Sequence, residues 1–209
     1  MVENVAYSDS ALSARGLVLG YRRGHAVAGP LDIDISKGQL VLLSGPNGCG
    51  KTTLLKTAAG LIKPLDGTIS APGAVLLPTR IPKVKGFTVK EFVNLGLYGT
   101  TRDAAQDTVL EVLEALGLAS LSNRDISTLS DGQFQKVCLC PAIASGKPLI
   151  LLDEPTAFLD SESRERLLSL LAGLAGGGVA GKDRRTIVIS SHDLAVCRTY
   201  CTSEIQLIK

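Results

Sequence analysis

Leu40-Val41-Leu42-Leu43-Ser44-Gly45-Pro46-Asn47-Gly48-Cys49-Gly50-Lys51-Thr52-Thr53 is the stretch that decides the fold. Its first five residues form a short apolar run bounded by glycine, the pattern of a strand covered on both faces. Gly45 to Thr52 fit the spacing G-x-x-x-x-G-K-[ST], and a helix is expected from Lys51 to Leu61. Strand, glycine-rich loop and helix together make a phosphate cradle. The glycines let the backbone turn tightly, so that successive N–H groups converge on phosphate oxygens. The helix N-terminus adds its positive end at the same point. On this reading Lys51 reaches the β- and γ-phosphates, and the Thr52 hydroxyl ligates Mg²⁺. Cys49, at the start of a helix, is expected to be a tolerated small residue, open to alkylation when nucleotide is absent.

Working outward, the same strand signature recurs at Ala74 to Leu77, Leu149 to Leu152 and Thr186 to Ser190, with Ile205 to Ile208 as a last edge strand. Upstream, Gly16 to Tyr21 and the alternating Leu31-Asp32-Ile33-Asp34-Ile35 read as half-buried antiparallel strands. Helical patterns fall between the buried runs. Thr88-x-x-Glu91 is a capping box opening a helix to about Leu97. Val109, Val112, Leu113 and Leu116 recur at helical spacing within Asp103 to Leu116. Gln133 to Ala144 and Ser161 to Leu171 are further helices, and the glycine-rich stretch Gly173 to Gly181 is expected to be a surface loop. Alternating strands and helices predict an α/β fold with right-handed crossovers. It has a mainly parallel sheet, a small antiparallel N-terminal part and a helical subdomain inserted at about 88–145, all within one domain spanning residues 1–209.

The composition agrees. The chain has 209 residues, 45% of them apolar, which supports a substantial core and argues against disorder. The net charge is +2, so charge gives no reason to expect a nucleic-acid partner. The longest charge-free apolar run, Leu167 to Gly181, falls short of the ~20 residues that cross a bilayer. Met1 to Val5 has neither the basic start nor the apolar core of a signal peptide, so a cytosolic chain is expected. Five cysteines (49, 138, 140, 197 and 201) and two histidines fit neither a disulfide framework nor a zinc site; free thiols, mostly buried, are expected.

Leu149-Ile150-Leu151-Leu152-Asp153-Glu154 ends a buried strand in two carboxylates. Asp153 suits the Mg²⁺ shell, and Glu154 is placed to polarise a water for in-line attack on the γ-phosphate. Leu129-Ser130-Asp131-Gly132-Gln133 resembles the signature of ATP-binding cassette (ABC) ATPases, usually LSGGQ, with Asp131 at its third position. Pro155 to Asp160 is similar to the loop that follows their acidic strand, and Ser190-Ser191-His192-Asp193 to their switch histidine. Tyr21, 24 residues before Gly45, matches the aromatic that stacks on adenine. These motifs come in the family's order. The combination of LSDGQ, QKV and LLDEPTAFLD is similar to the branch serving iron–siderophore, haem and cobalamin importers.

The resemblance implies an ATP-hydrolysing transporter subunit. Two such subunits bind two ATP head to tail, with Tyr21, Gly45 to Thr53 and Mg²⁺ on one side. Ser130, Asp131, Gly132 and Gln133 of the other subunit cover the γ-phosphate in trans. Asp131 is read as a helix cap rather than a ligand. His192 would hydrogen-bond the γ-phosphate and orient the water near Glu154, and Asp160 lies in the loop at the dimer interface. The partners implied are a second copy of the chain and integral membrane permease subunits, which would hold it on the inner face of the cell membrane. The permease is expected to dock near Thr79 to Leu97, where Ile81, Lys83, Val84, Lys85 and Phe87 offer an apolar and basic surface, although a short basic run more often marks a solvated loop. A soluble ABC-type ATPase of cofactor assembly or the ribosome is the alternative, and a non-catalytic cassette a further one.

Three departures from the family pattern stand out. Thr79 occupies the place of a glutamine that ligates Mg²⁺ and senses the membrane subunit, and a threonine hydroxyl has a shorter reach. The strand-rich elaboration after the phosphate loop is trimmed to Leu65 to Pro72. Pro141, after Cys140, is expected to kink or shorten its helix.

Overall fold

The computed structural model describes residues 9–22, 24–97, 102–157, 159–177 and 184–208. Two sheets share the chain. β1 (Ser10–Arg22), β2 (His25–Ser36) and β4 (Asp66–Ser70) form an antiparallel sheet in the order β2-β1-β4. β3 (Leu40–Ser44), β5 (Ala74–Leu77), β6 (Leu149–Asp153), β7 (Thr186–Ser190) and β8 (Ser203–Gln206) form a parallel sheet in the order β5-β6-β7-β3-β8. Six α-helices accompany them: α1 (Lys51–Ala58), α2 (Val89–Asn94), α3 (Arg102–Ala115), α4 (Asp131–Ala144), α5 (Ser161–Gly177) and α6 (Leu194–Tyr200).

Every residue of β3, β6 and β7 is buried, which is why these runs read as continuous apolar stretches rather than alternating ones. Successive side chains leave opposite faces. Leu40, Leu42, Ile150, Leu152, Ile187 and Ile189 pack into a cluster that includes residues of α2 to α6. Val41, Leu43, Leu149, Leu151 and Val188 pack the other way, against Leu54, Leu55 and Ala58 of α1 and Leu12, Ala14, Leu17 and Leu19 of β1. The antiparallel sheet thus lies over α1. Each fully buried leucine contributes roughly 1.5–3 kcal/mol on area grounds.

All described elements between β5 and β6 are helical: α2, α3, α4 and three single-turn 3₁₀ segments. The Thr88–Glu91 capping box forms as expected. β8 starts two residues earlier than the sequence suggests. α6 carries no strong sequence signal, because only Cys197 along it is fully buried.

Two helix expectations need correction. α5 continues through Gly173 and Gly176 to Gly177, because Leu174 and Ala175 are buried in the core and that packing outweighs the poor helix propensity of glycine. The rest of the anticipated loop, 178–181, lies outside the described residues. Pro141 does not shorten α4, which runs on to Ala144. Proline forfeits one backbone hydrogen bond, and here it does so one turn from the helix end. A Cβ at Gly96 would lie 2.0 Å from the Pro141 carbonyl oxygen, so only glycine admits that close approach.

The five thiols are free; four are buried and Cys201 is half-buried. Burial pushes the Cys138 and Cys201 thiols up to about 12. Cys49 is wholly buried, and a Cβ at Gly45 would lie 2.7 Å from its Sγ. The expectation that Cys49 is open to alkylation is therefore overturned: the loop folds over it.

Candidate functional site

The site is built at the carboxyl ends of β3, β6 and β7. β3 delivers Ser44 into the glycine loop, where Gly45, Gly48 and Gly50 take φ of 140°, 77° and 104°. Pro46, Asn47 and Gly48 form the exposed tip, and nothing lies within 4 Å of where a Gly48 Cβ would be, so the concave side is open. Gly50 precedes α1 with no side-chain cap, which leaves the first N–H groups of the helix pointing into the loop. The Lys51 ammonium is drawn inward and donates to the Gly45 carbonyl at 2.7 Å and the Pro46 carbonyl at 3.3 Å. Lys51 is itself buried. Open donors, a helix N-terminus and a fixed ammonium are the groups that suit a polyphosphate.

Thr52 points its hydroxyl to Asp153, 2.9 Å from Oδ2 and 3.2 Å from Oδ1. A hydroxyl and a carboxylate are hard oxygen donors beside a phosphate site, which fits Mg²⁺. The parallel register sets Asp153 opposite Ser190. The Ser190 hydroxyl donates to Asp153 Oδ1 at 2.8 Å and accepts the Glu154 N–H at 2.9 Å. This fully buried hydroxyl therefore joins the two acidic residues. Glu154 sits at φ 53°, in the left-handed region that glycine favours, at a cost on the order of 1–2 kcal/mol. Its buried Oε1 lies 3.1 Å from His192 Nε2 but is not aligned for a hydrogen bond to it. A misaligned neighbour and an unpartnered oxygen leave Glu154 able to accept a proton from a third group between them.

Tyr21 is mostly exposed, and its hydroxyl accepts from Thr53 Oγ1 at 3.3 Å, which places an open aromatic face beside α1. Thr79 lines a cavity of about 600 Å³ that also reaches Asp153.

Ser130, Asp131, Gly132 and Gln133 form a separate group at the start of α4. Ser130, not Asp131, is the N-cap: its hydroxyl accepts from the Gln133 N–H at 3.2 Å, and the Gln133 side chain accepts the Ser130 N–H at 3.1 Å. A serine fits the reciprocal box with Gln133, so Asp131 falls at the first helical position instead. The Ser130 hydroxyl keeps its own proton to donate. Asp160 likewise caps α5, accepting from the Ser163 N–H at 2.8 Å and the Ser163 hydroxyl at 3.1 Å. Those bonds hold its carboxyl below the usual carboxylate range.

Four contributors escaped the sequence reading. Ser190 was visible as a polar strand end and as the first residue of the switch-histidine segment, but its link between the two acidic residues comes from the strand order. Gln135 donates to the Pro155 carbonyl at 2.6 Å and ties α4 to the turn after Glu154. Arg164 pairs with Asp193 and donates to the Leu159 carbonyl, steadying the turn that carries His192. Lys83, expected as part of the surface offered to the permease, is also anchored to the signature turn, a contact the sequence did not suggest.

A parallel sheet with a glycine loop after β3 and two carboxylates at the end of β6, with β7 between the two strands, defines the P-loop nucleoside-triphosphatase fold. A structure of an inward-facing transporter described as metal-chelate type superposes with a TM-score of 0.85 and 29% identity, over 96% of this chain and 80% of that one. The profile of the ABC transporter family matches residues 29–157. Three relatives are each 34% identical to this chain. The achromobactin transport ATP-binding protein of Dickeya dadantii is matched over 91% of this chain and 76% of its own length. For the iron(3+)-hydroxamate import ATP-binding protein of Bacillus subtilis the shares are 88% and 74%. For the cytochrome c biogenesis ATP-binding export protein of Bordetella parapertussis they are 99% and 93%. The chain belongs to the ABC transporter family, and the resemblance and the fold class read from its sequence are borne out. Among the described residues no helix is long and apolar enough to cross a membrane.

Proposed function

We propose that this chain is the ATP-hydrolysing subunit of a transporter whose membrane-spanning part is a separate permease. The observation that carries the reading is the continuous chain of contacts Thr52–Asp153–Ser190–Glu154, with His192 beside it. A polyphosphate lies along the loop N–H groups and the Lys51 ammonium, with Tyr21 under the base. Thr52 and Asp153 hold Mg²⁺, which neutralises phosphate charge when bound. Glu154 accepts a proton from the attacking water while His192 orients that water, giving ADP and phosphate.

We read 88–145 as the helical subdomain and propose that two copies pair head to tail. Ser130 and the N-terminus of α4 then meet the γ-phosphate of the partner, and Asp160 lies at the interface. The permease docks on the loop after β5, where Val84 and Phe87 are exposed. Such pairing would hold the chain at the inner face of the membrane. Thr79, with its short hydroxyl, would serve Mg²⁺ through an added water, or else catalysis would be slower.

The cargo reading is import of a chelated metal, supported by relatives named for achromobactin and iron-hydroxamate and by the metal-chelate neighbour. Export is the second reading, favoured by the close match in length to the cytochrome c biogenesis protein. Recovery of the chain with a permease from solubilised membranes tests the partnership.

Phosphate release from Mg-ATP tests the chemistry. The wild-type chain should turn over, and Glu154→Gln should lower turnover by about 10²–10⁴-fold while ATP binding is retained. Unimpaired hydrolysis by Glu154→Gln would remove Glu154 from its role.

A further inference from the structure

Asp131 places a full negative charge between Ser130 and Gly132, in the turn proposed to close over the γ-phosphate of a second chain. The inference drawn here rests on that reading. An uncompensated carboxylate there would repel the nucleotide it is meant to cover.

The fold answers that charge with Lys83. Its ammonium donates to Asp131 Oδ1 at 2.6 Å and to the Leu129 carbonyl at 3.0 Å, and lies 5.4 Å from the centre of the Phe134 ring. Lys83 comes from the loop after β5, 48 residues earlier in the chain. Its side chain is 28% exposed, whereas that of Asp131 is 83% exposed. An exposed ion pair holding only itself in place contributes little. Here the carbonyl and the ring fix the ammonium independently, so little freedom remains to be lost when the carboxylate binds it.

The signature turn is also divided in space. Asp131 lines the 600 Å³ cavity together with Lys83 and loop residues Thr79 to Pro82. Ser130, Gly132 and Gln133 line a different depression, beside Ser163 and Arg166 of α5. The phosphate-directed groups and the carboxylate therefore face different ways, and Lys83 stands on the carboxylate's side.

We propose that Lys83 is a positioning residue for nucleotide-driven pairing: it neutralises Asp131 and holds its carboxylate toward the loop after β5, away from the phosphate-facing side of the turn. A structural tether would also need Lys83, through Leu129, but it would not need Asp131. That difference makes the two roles separable.

The test uses the full chain carrying Glu154→Gln, so that ATP persists, and reads by light scattering the ATP concentration at which half the chains are paired. Lys83→Met should raise that concentration roughly 5–10-fold, an effect that shrinks as salt is added. Lys83→Arg should keep pairing near the parental level. Asp131→Gly alone, and Lys83→Met combined with Asp131→Gly, should lie within about twofold of each other. An equal penalty for Lys83→Met with or without Asp131 makes Lys83 a tether and overturns the inference. So does an Arg variant as impaired as Met, or no penalty at all. A parental chain that binds ATP yet stays monomeric overturns the head-to-tail reading itself, and this inference with it.

Discussion

The phosphate-loop half of the site and the signature half are held together by different means. Around the loop, the key groups are buried and tied to backbone: Lys51 to two carbonyls, and Ser190 to Asp153 and the Glu154 N–H. At the start of α4, the reciprocal box of Ser130 and Gln133 holds an exposed turn, and one remote lysine completes it through Asp131. The first half is shaped before any ligand arrives. The second is an outward-facing edge, proposed to acquire its partner across an interface. Buried polar groups are costly to leave unpaired, so the first half should be brittle and the second forgiving.

Substitutions can break or sharpen that contrast. The largest expected effect is at Lys51: removing an ammonium that meets phosphate should weaken ATP binding roughly 10–100-fold in titration calorimetry. Unchanged affinity would mean that the loop N–H groups alone carry the phosphate. Next comes Ser190→Ala, which strands the Glu154 N–H and removes the shorter of the two bonds to Asp153 Oδ1, leaving only Thr52 there. A melting temperature roughly 2–10 °C lower is expected in calorimetry, since such an orphan costs about 1–3 kcal/mol. The smallest is Ser130→Ala. Losing one helix cap should lower melting by only about 2–4 °C without nucleotide, while ATP-driven pairing suffers as well. A larger loss of stability at Ser130 than at Ser190 would invert the contrast.

What was legible in the sequence follows the same division. β3, β6 and β7 were readable almost to the residue because a strand covered on both faces is apolar through its middle, and the half-buried edge strand β5 shares that pattern. The glycine loop was readable because its backbone geometry admits few residue types. The capping box at Thr88 was readable because it is local. The box at Ser130 uses the same chemistry, but an aspartate beside it drew attention to itself as the cap.

Ser190, Lys83 and Gln135 were not legible, because their roles depend on which strands are neighbours and which loop meets which helix. No spacing along the chain encodes Lys83 meeting Asp131. α5 was underestimated for a related reason: its glycines speak locally for a loop, and only the core explains why Leu174 and Ala175 keep the helix going.

Glu154 stands in a backbone conformation that glycine would occupy with ease. A replacement by glycine would relieve strain and at the same time discard the carboxylate. Stability and chemistry therefore pull in opposite directions at one codon. Any lineage freed from the need to turn over nucleotide can drift there with a gain in robustness, so glycine at this position would be an early mark of a cassette kept for its shape alone.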